Sequence, residues 1–192
     1  GLNGAGKTTL LQVIAGIYKP TKGRCDKSGR VASMMNMTYG MNSENTGYEN
    51  INLRATFLGW RGSFLKDRID EIAEFSGLGP FLKMPIRTYS AGMRLRLAFA
   101  IATAVTPDIL LMDEWIGFGD QTFVARAEER MMKMVARTGV LVLASHNETM
   151  LERVCSRGIV LDGGRIIFDG DIHAALQAYQ AVNMDLQGEH RA

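Results

Sequence analysis

At 192 residues, 46% hydrophobic and 22% charged, the chain is long enough to bury a core and reads as one globular domain with room for a small subdomain. Its net charge of +2 gives no argument for a nucleic-acid partner, and none is expected. No apolar run reaches the roughly 20 residues that cross a bilayer. The greasiest segment, Leu95 to Val105, carries Arg96, so at a membrane another chain has to do the spanning. There is no secretory leader pattern. Cys25 and Cys155 are far apart, with no His or Cys at metal-ligand spacing, which reads as reduced thiols in a cytosolic setting.

The chain opens on Gly1-Leu2-Asn3-Gly4-Ala5-Gly6-Lys7-Thr8, followed by Thr9, and fits G-x-x-x-x-G-K-[ST] in full. Small residues let consecutive backbone N–H groups turn onto a triphosphate, and the next helix aims its positive end at the same oxygens. Lys7 adds a point charge for the β- and γ-phosphates, and Thr8 offers a hydroxyl to Mg²⁺. Such a loop needs a strand to feed it, and this sequence begins at the loop without an initiator Met. It therefore reads as a fragment whose first strands are missing.

Leu10, Leu11, Ile14 and Ala15 suit a short helix with one buried face, closed by Gly16, Pro20 and Gly23. Val31 to Met35 reads as a short strand. Asn36 to Asn50 has loop chemistry, and the four methionines between Met34 and Met41 are either core fillers or a partner-binding surface. Ile51 to Phe57 and Leu65 to Phe75 carry helical spacing, with Leu65, Ile69, Ile72 and Phe75 on one stripe. Ser90 is placed to cap an apolar helix running through Val105, which Pro107 stops.

Ile109 to Met112 is a continuous apolar run, as a buried parallel strand requires, and it ends in Asp113-Glu114. Phe123, Ala127, Met131, Met134 and Val135 recur at helical spacing. Val140 to Ala144 is a second buried strand, ending at Ser145-His146. A short helix over Glu148 to Val154 precedes Ile159 to Leu161 and Arg165 to Phe168, strands joined by the hairpin signal Gly163-Gly164. A final helix starts at Asp171 and fades before Gly188. Alternating buried strands and helices mean an α/β fold with a mainly parallel sheet, whose ligands gather at the strand carboxyl ends.

Successive strand residues point to opposite sides, so Asp113 can hold Mg²⁺ while Glu114 reaches past the strand end toward a water. A carboxylate there can act as general base. His146, at the end of the neighbouring strand, falls at the same edge and can contact the γ-phosphate or the attacking water.

In this order the motifs resemble the nucleotide-binding subunits of ABC transporters. Gly1 to Thr8 looks like Walker A, Ser90-Ala91-Gly92-Met93-Arg94 like the signature motif, and Ile109 to Asp113 with Glu114 like Walker B and its catalytic Glu. Gly117-Phe118-Gly119-Asp120 resembles the D-loop and His146 the switch His. The wording around Tyr89 to Ala100, Asp113 to Asp120 and Glu44 to Ile51 is similar to exporters of O-antigen and teichoic-acid type polysaccharide, with Trp115 where other members typically have Pro. Ala91 and Met93 depart from the usual signature Gly and Gln, and Asn36 stands at the position of the Q-loop glutamine.

The resemblance implies a P-loop NTPase fold, a mainly parallel sheet flanked by helices, with a small helical subdomain inserted before the signature motif. One ABC ATPase domain would cover residues 1–192, with a helical and signature subdomain at 37–95 and a C-terminal helix and tail at 171–192. It implies ATP and Mg²⁺ as ligands: Gly1 to Thr9, Ser90, Ala91, Gly92 and Asp120 around the nucleotide, Thr8, Asp113 and Asn36 around the metal, and Glu114 and His146 as catalytic residues. The expected assembly is a homodimer of the ATPase on a membrane-spanning permease subunit. It would sit at the cytoplasmic face of the inner membrane as a peripheral protein, with a polysaccharide-lipid as the indirect substrate. A soluble ABC-type ATPase of DNA or ribosome metabolism, or a regulatory module without useful hydrolysis, are the alternatives.

Overall fold

The computed structural model describes residues 1–2, 4–57, 60, 62–115 and 121–189. The chain divides into two compact units, one of residues 1–35, 108–115 and 139–192, the other of residues 36–107 and 116–138.

The first unit is built on a parallel sheet of β1 (Val31–Ser33), β2 (Ile109–Asp113) and β3 (Val140–Ala144), in the order β1-β2-β3. β2 is central, and its Leu110, Leu111 and Met112 are fully buried, which is why the segment is an unbroken apolar run instead of an alternation. Its register pairs Asp113 with Ala144, so β2 and β3 end at the same level. β1 is shorter than the expected Val31 to Met35. Met34 N–H still donates to the Leu111 carbonyl at 2.9 Å, and the chain turns from Met35 onward. Helix α1 (Lys7–Ala15) touches all three strands and buries Leu11.

This unit also holds α6 (Glu148–Val154), an antiparallel hairpin of β4 (Arg157–Asp162) and β5 (Arg165–Asp171), and α7 (Ile172–Glu189). Gly163 and Gly164 turn the hairpin with φ of 49° and 78°, the paired positive values of a type I′ turn. Both strands outrun their apolar residues. The fork of Arg157 grips the Asp169 carboxylate at 2.7 and 2.6 Å and extends the pairing to charged positions that alternation did not mark. α7 packs onto β4 at Gly158, where a Cβ would lie 2.4 Å from the Ala175 Cβ. Asp171 sits just before α7, its carboxylate accepting from His173 N–H at 2.9 Å. The helix runs on through Gly188 instead of fading before it.

The second unit contains α2 (Gly47–Phe57), α3 (Gly62–Ser76), 3₁₀ turns at Gly79–Lys83 and Ile86–Thr88, α4 (Ala91–Ala102) and α5 (Gln121–Arg137). Its core gathers Ile51, Ile72, Leu82, Leu97 and Ile101, with Ile69 and Phe75 against it; the side chain of Leu65 lies outside the described set. α2 starts at Gly47 instead of Ile51 because Thr46 and Glu49 form a reciprocal capping box. Glu49 N–H donates to Thr46 Oγ1 at 3.2 Å, and Thr46 N–H to the Glu49 carboxylate at 2.7 Å. Asn50, fully buried, organises the preceding loop: its amide donates to the carbonyls of Asn42, Asn45 and Thr46. α4 ends at Ala102 instead of Val105, where the Thr103 hydroxyl turns back onto the Phe99 carbonyl at 2.7 Å. The rings of Phe75, Phe99 and Phe123 meet at 5.5 to 6.1 Å between centroids, and Arg130 of α5 lies 4.2 Å over Phe75 while donating to Glu71 of α3. Met34 of the first unit and Met37 of the second are buried, as core fillers are.

Candidate functional site

The loop ahead of α1 takes its shape from glycine. Gly4 and Gly6 have φ of 80° and 97°, a left-handed backbone that costs other residues roughly 1–2 kcal/mol each. A Cβ at Gly4 would meet nothing within 4 Å, so conformation and not crowding asks for glycine there. Gly6 caps α1 without any side-chain acceptor, and the first turn carries no acidic residue, leaving the helix entry for an outside anion.

The loop is backed by the β4–β5 hairpin. Gly164 N–H donates to the Ala5 carbonyl at 3.2 Å, and a Cβ at Gly1 would lie 2.2 Å from the Leu161 carbonyl oxygen. Because a trans peptide points its C=O and N–H in opposite directions, tying the Ala5 carbonyl to the hairpin turns the Gly6 N–H the other way. Lys7 folds its ammonium over the loop, donating to the carbonyls of Gly1 and Leu2 at 2.7 and 2.9 Å. These are local carbonyls that a phosphate oxygen can outcompete by charge. Asn3 lies outside the described residues, and Thr9 is exposed on the first turn of α1.

Thr8 and Asp113 come together across 105 residues of sequence: the Thr8 hydroxyl donates to Asp113 Oδ2 at 2.6 Å. Two hard oxygens at one place fit Mg²⁺. Among the described residues no group of three or more His, Cys, Asp or Glu surrounds a common point. Mg²⁺ keeps waters and takes substrate phosphates as ligands, so one hydroxyl and one carboxylate are a usual protein share.

Glu114 points away from that pair. It is the one non-glycine residue with positive φ, 75°, among those described. Its N–H donates to the Ala144 carbonyl at 2.7 Å, extending the β2–β3 ladder by one bond. Its carboxylate accepts from the Ser145 hydroxyl at 2.8 Å and from His146 N–H at 3.1 Å, with His146 Nε2 at 3.8 Å. The Glu114 and His146 side chains are each about half exposed, so the pair opens to solvent at the carboxyl edge of the sheet.

Ser90, Ala91 and Gly92 belong to the second unit and are exposed at the start of α4. Ser90 caps the helix, its hydroxyl accepting from Met93 N–H at 3.1 Å, and a Cβ at Gly92 would approach only that hydroxyl, at 3.8 Å. Asn36, also of the second unit, is exposed in the turn that follows β1, its carbonyl accepting from Tyr39 N–H. Asp120, with the rest of 117–120, lies outside the described residues. Sequence reasoning missed Ser145 and the hairpin tip at Gly164 as neighbours of the site. Ser145 adjoins His146, but only the β2–β3 register reveals that its hydroxyl meets Glu114.

Residues 1–117 match the family model described as ABC transporter. The chain is 45% identical over 166 residues to the O-antigen export system ATP-binding protein RfbE of Yersinia enterocolitica, covering 86% of this chain and 70% of that one. It is 32% identical over 192 residues to the teichoic acids export ATP-binding protein TagH of Staphylococcus haemolyticus, covering 100% of this chain and 72% of that one. A solved structure titled as the ATP binding subunit of an ABC transporter superposes with a TM-score of 0.77 at 25% identity, over 94% of this chain and 80% of that one. The fold is thus the α/β P-loop domain with its parallel sheet and flanking helices that the motifs imply, and the chain belongs to the ABC transporter family.

Proposed function

We propose that the chain is the ATP-hydrolysing subunit of an ABC exporter that moves a cell-surface polysaccharide of O-antigen or teichoic-acid type across the cytoplasmic membrane. The observation that carries the hydrolytic half is the division of labour at one strand end: Asp113 bonded to Thr8, and Glu114 turned to Ser145 and His146. The polysaccharide half rests on the likeness to RfbE and TagH, since no side chain described here recognises a sugar.

The triphosphate of ATP lies on the N–H groups of the loop and the start of α1, with Lys7 leaving the Gly1 and Leu2 carbonyls for the β- and γ-phosphates. Thr8 and Asp113 would hold Mg²⁺, which would supply positive charge against that building on the phosphate oxygens. Glu114 accepts a proton from water as the water oxygen bonds to the γ-phosphorus and the bond to ADP breaks. His146 faces the same carboxylate and steadies the γ-phosphate. The exposed cap at Ser90 to Gly92 meets the ATP of a second copy, so each site is completed by a homodimer.

No described helix is long and apolar enough to cross a membrane, and a permease subunit does the spanning. Its docking face is the 36–60 segment, where Tyr39 and Phe57 are 71% and 73% exposed. The protein is then peripheral, on the cytoplasmic side of the inner membrane.

The test is steady-state ATP hydrolysis by the intact subunit co-expressed with its permease. Replacing Glu114→Gln is expected to cut turnover by about 10²-fold or more while nucleotide binding persists. Turnover at the wild-type rate would remove Glu114 as the base. Loss of surface glycan in cells carrying Glu114→Gln tests the export half separately.

A further inference from the structure

We propose that Ser145 is a positioning residue for hydrolysis, its hydroxyl holding the Glu114 carboxylate at the carboxyl end of β3; this rests on Glu114 being the base. The backbone at Glu114 is left-handed, a conformation that a side chain other than Gly or Asn rarely keeps unless its surroundings impose it. Two groups from the β3 end impose it here. The Ala144 carbonyl takes the Glu114 N–H at 2.7 Å, and the Ser145–His146 segment takes the carboxylate.

Within that segment the hydroxyl has a set direction. Ser145 Oγ accepts from Asn147 N–H at 3.1 Å, so one of its lone pairs is engaged and its single proton is directed to Glu114 Oε2 at 2.8 Å. Asn147 is itself fixed as the N-cap of α6, its Oδ1 accepting from Met150 N–H at 3.0 Å. A continuous chain of hydrogen bonds thus runs from the first turn of α6 through Ser145 to the carboxylate. The His146 amide is the second hold, and Ser145 is the one that a side-chain substitution removes.

Asp113 answers to a different partner, the Thr8 hydroxyl. The adjacent carboxylates are therefore kept apart by two hydroxyls from different elements. Without Ser145, Glu114 keeps the His146 N–H but gains freedom to swing toward solvent, away from the water it is to deprotonate.

The experiment is steady-state hydrolysis by the intact subunit with its permease. Ser145→Ala is expected to lower kcat by about tenfold, against the roughly 10²-fold that a misplacement near 1 Å can cost, with KM for ATP within about twofold. Ser145→Thr, which keeps the hydroxyl, is expected to stay within about twofold of wild type, and Ser145→Cys, a weaker donor of similar shape, to fall between. An unchanged kcat in Ser145→Ala overturns the proposal. So does a loss carried by KM, or a Thr variant as slow as Ala. Inactive Glu114→Gln beside a normal Ser145→Ala sinks the Ser145 role alone, whereas an active Glu114→Gln sinks the base.

Discussion

At position 114 the structure inverts the usual ranking of alanine and glycine. Elsewhere Gly→Ala stabilises by about 0.4–1 kcal/mol, because the unfolded chain has less freedom to lose. At φ of 75°, however, a Cβ costs roughly 1–2 kcal/mol in the folded state. Both Glu114→Ala and Glu114→Gly lose the same carboxylate bonds to Ser145 and His146, so that loss cancels in the comparison. The difference is the strain relieved, about 1–2 kcal/mol, less the unfolded-state term, about 0.4–1 kcal/mol, leaving Gly the more stable by about 1 kcal/mol. In a protein of this size that is a thermal midpoint about 2–4 °C higher for Glu114→Gly than for Glu114→Ala. Urea unfolding of the nucleotide-free protein measures the same gap as a shift in midpoint at constant slope. An alanine variant equal to or more stable than the glycine one would refute the left-handed backbone and, with it, the imposed carboxylate geometry.

Further outcomes follow from the second unit and the cysteines. The Glu49 carboxyl is held below its usual 4.5 by the Thr46 N–H and then the Thr46 hydroxyl, so its contribution is present above that value and lost as pH falls through the lower folded one. The stability margin of wild type over Glu49→Ala is therefore expected at pH 7 and should vanish in strong acid; urea midpoints across pH measure it, and a margin that grows on acidification would contradict the capping box. Burial pushes the Cys155 thiol up and leaves the residue partly covered, whereas Cys25 is exposed. Iodoacetamide on the native protein, followed by mass spectrometry, is expected to label Cys25 first, and labelling of both together on denaturation; equal native rates would contradict the packing around Cys155.

Much of the fold was legible because its parts obey local rules. The apolar runs Ile109 to Met112 and Val140 to Ala144 have no helical length and form paired strands, but only the first is buried. Val140 is 51% exposed, because β3 ends the order β1-β2-β3 while β2 lies between two strands. Ser90 caps α4, whereas Pro107 stands beyond the end that Thr103 sets. α6 appears at Glu148–Val154 as its spacing implied. Boundaries shifted where side chains outside the apolar pattern set them. Thr46 and Glu49 pull the start of α2 to Gly47, Thr103 ends α4 early, and Arg157 with Asp169 lengthens the hairpin. Asn50 reads as loop composition in the sequence, yet a fully buried side chain with several backbone partners is a fold element in its own right.

For the site, the sequence by itself determined the chemistry on offer: a glycine-rich loop with Lys7 and Thr8, a strand ending in Asp113-Glu114, and a second strand ending before His146. These follow from residue type and short spacing, which one chain of letters carries in full. Only the tertiary structure decided which groups meet. The register that sets Asp113 opposite Ala144 brings Ser145 to Glu114, α1 on the sheet brings Thr8 to Asp113, and the β4–β5 turn backs Ala5. The physical reason is that such contacts depend on pairing between segments remote in sequence, and a hydroxyl or a glycine N–H has no pattern that names its distant partner.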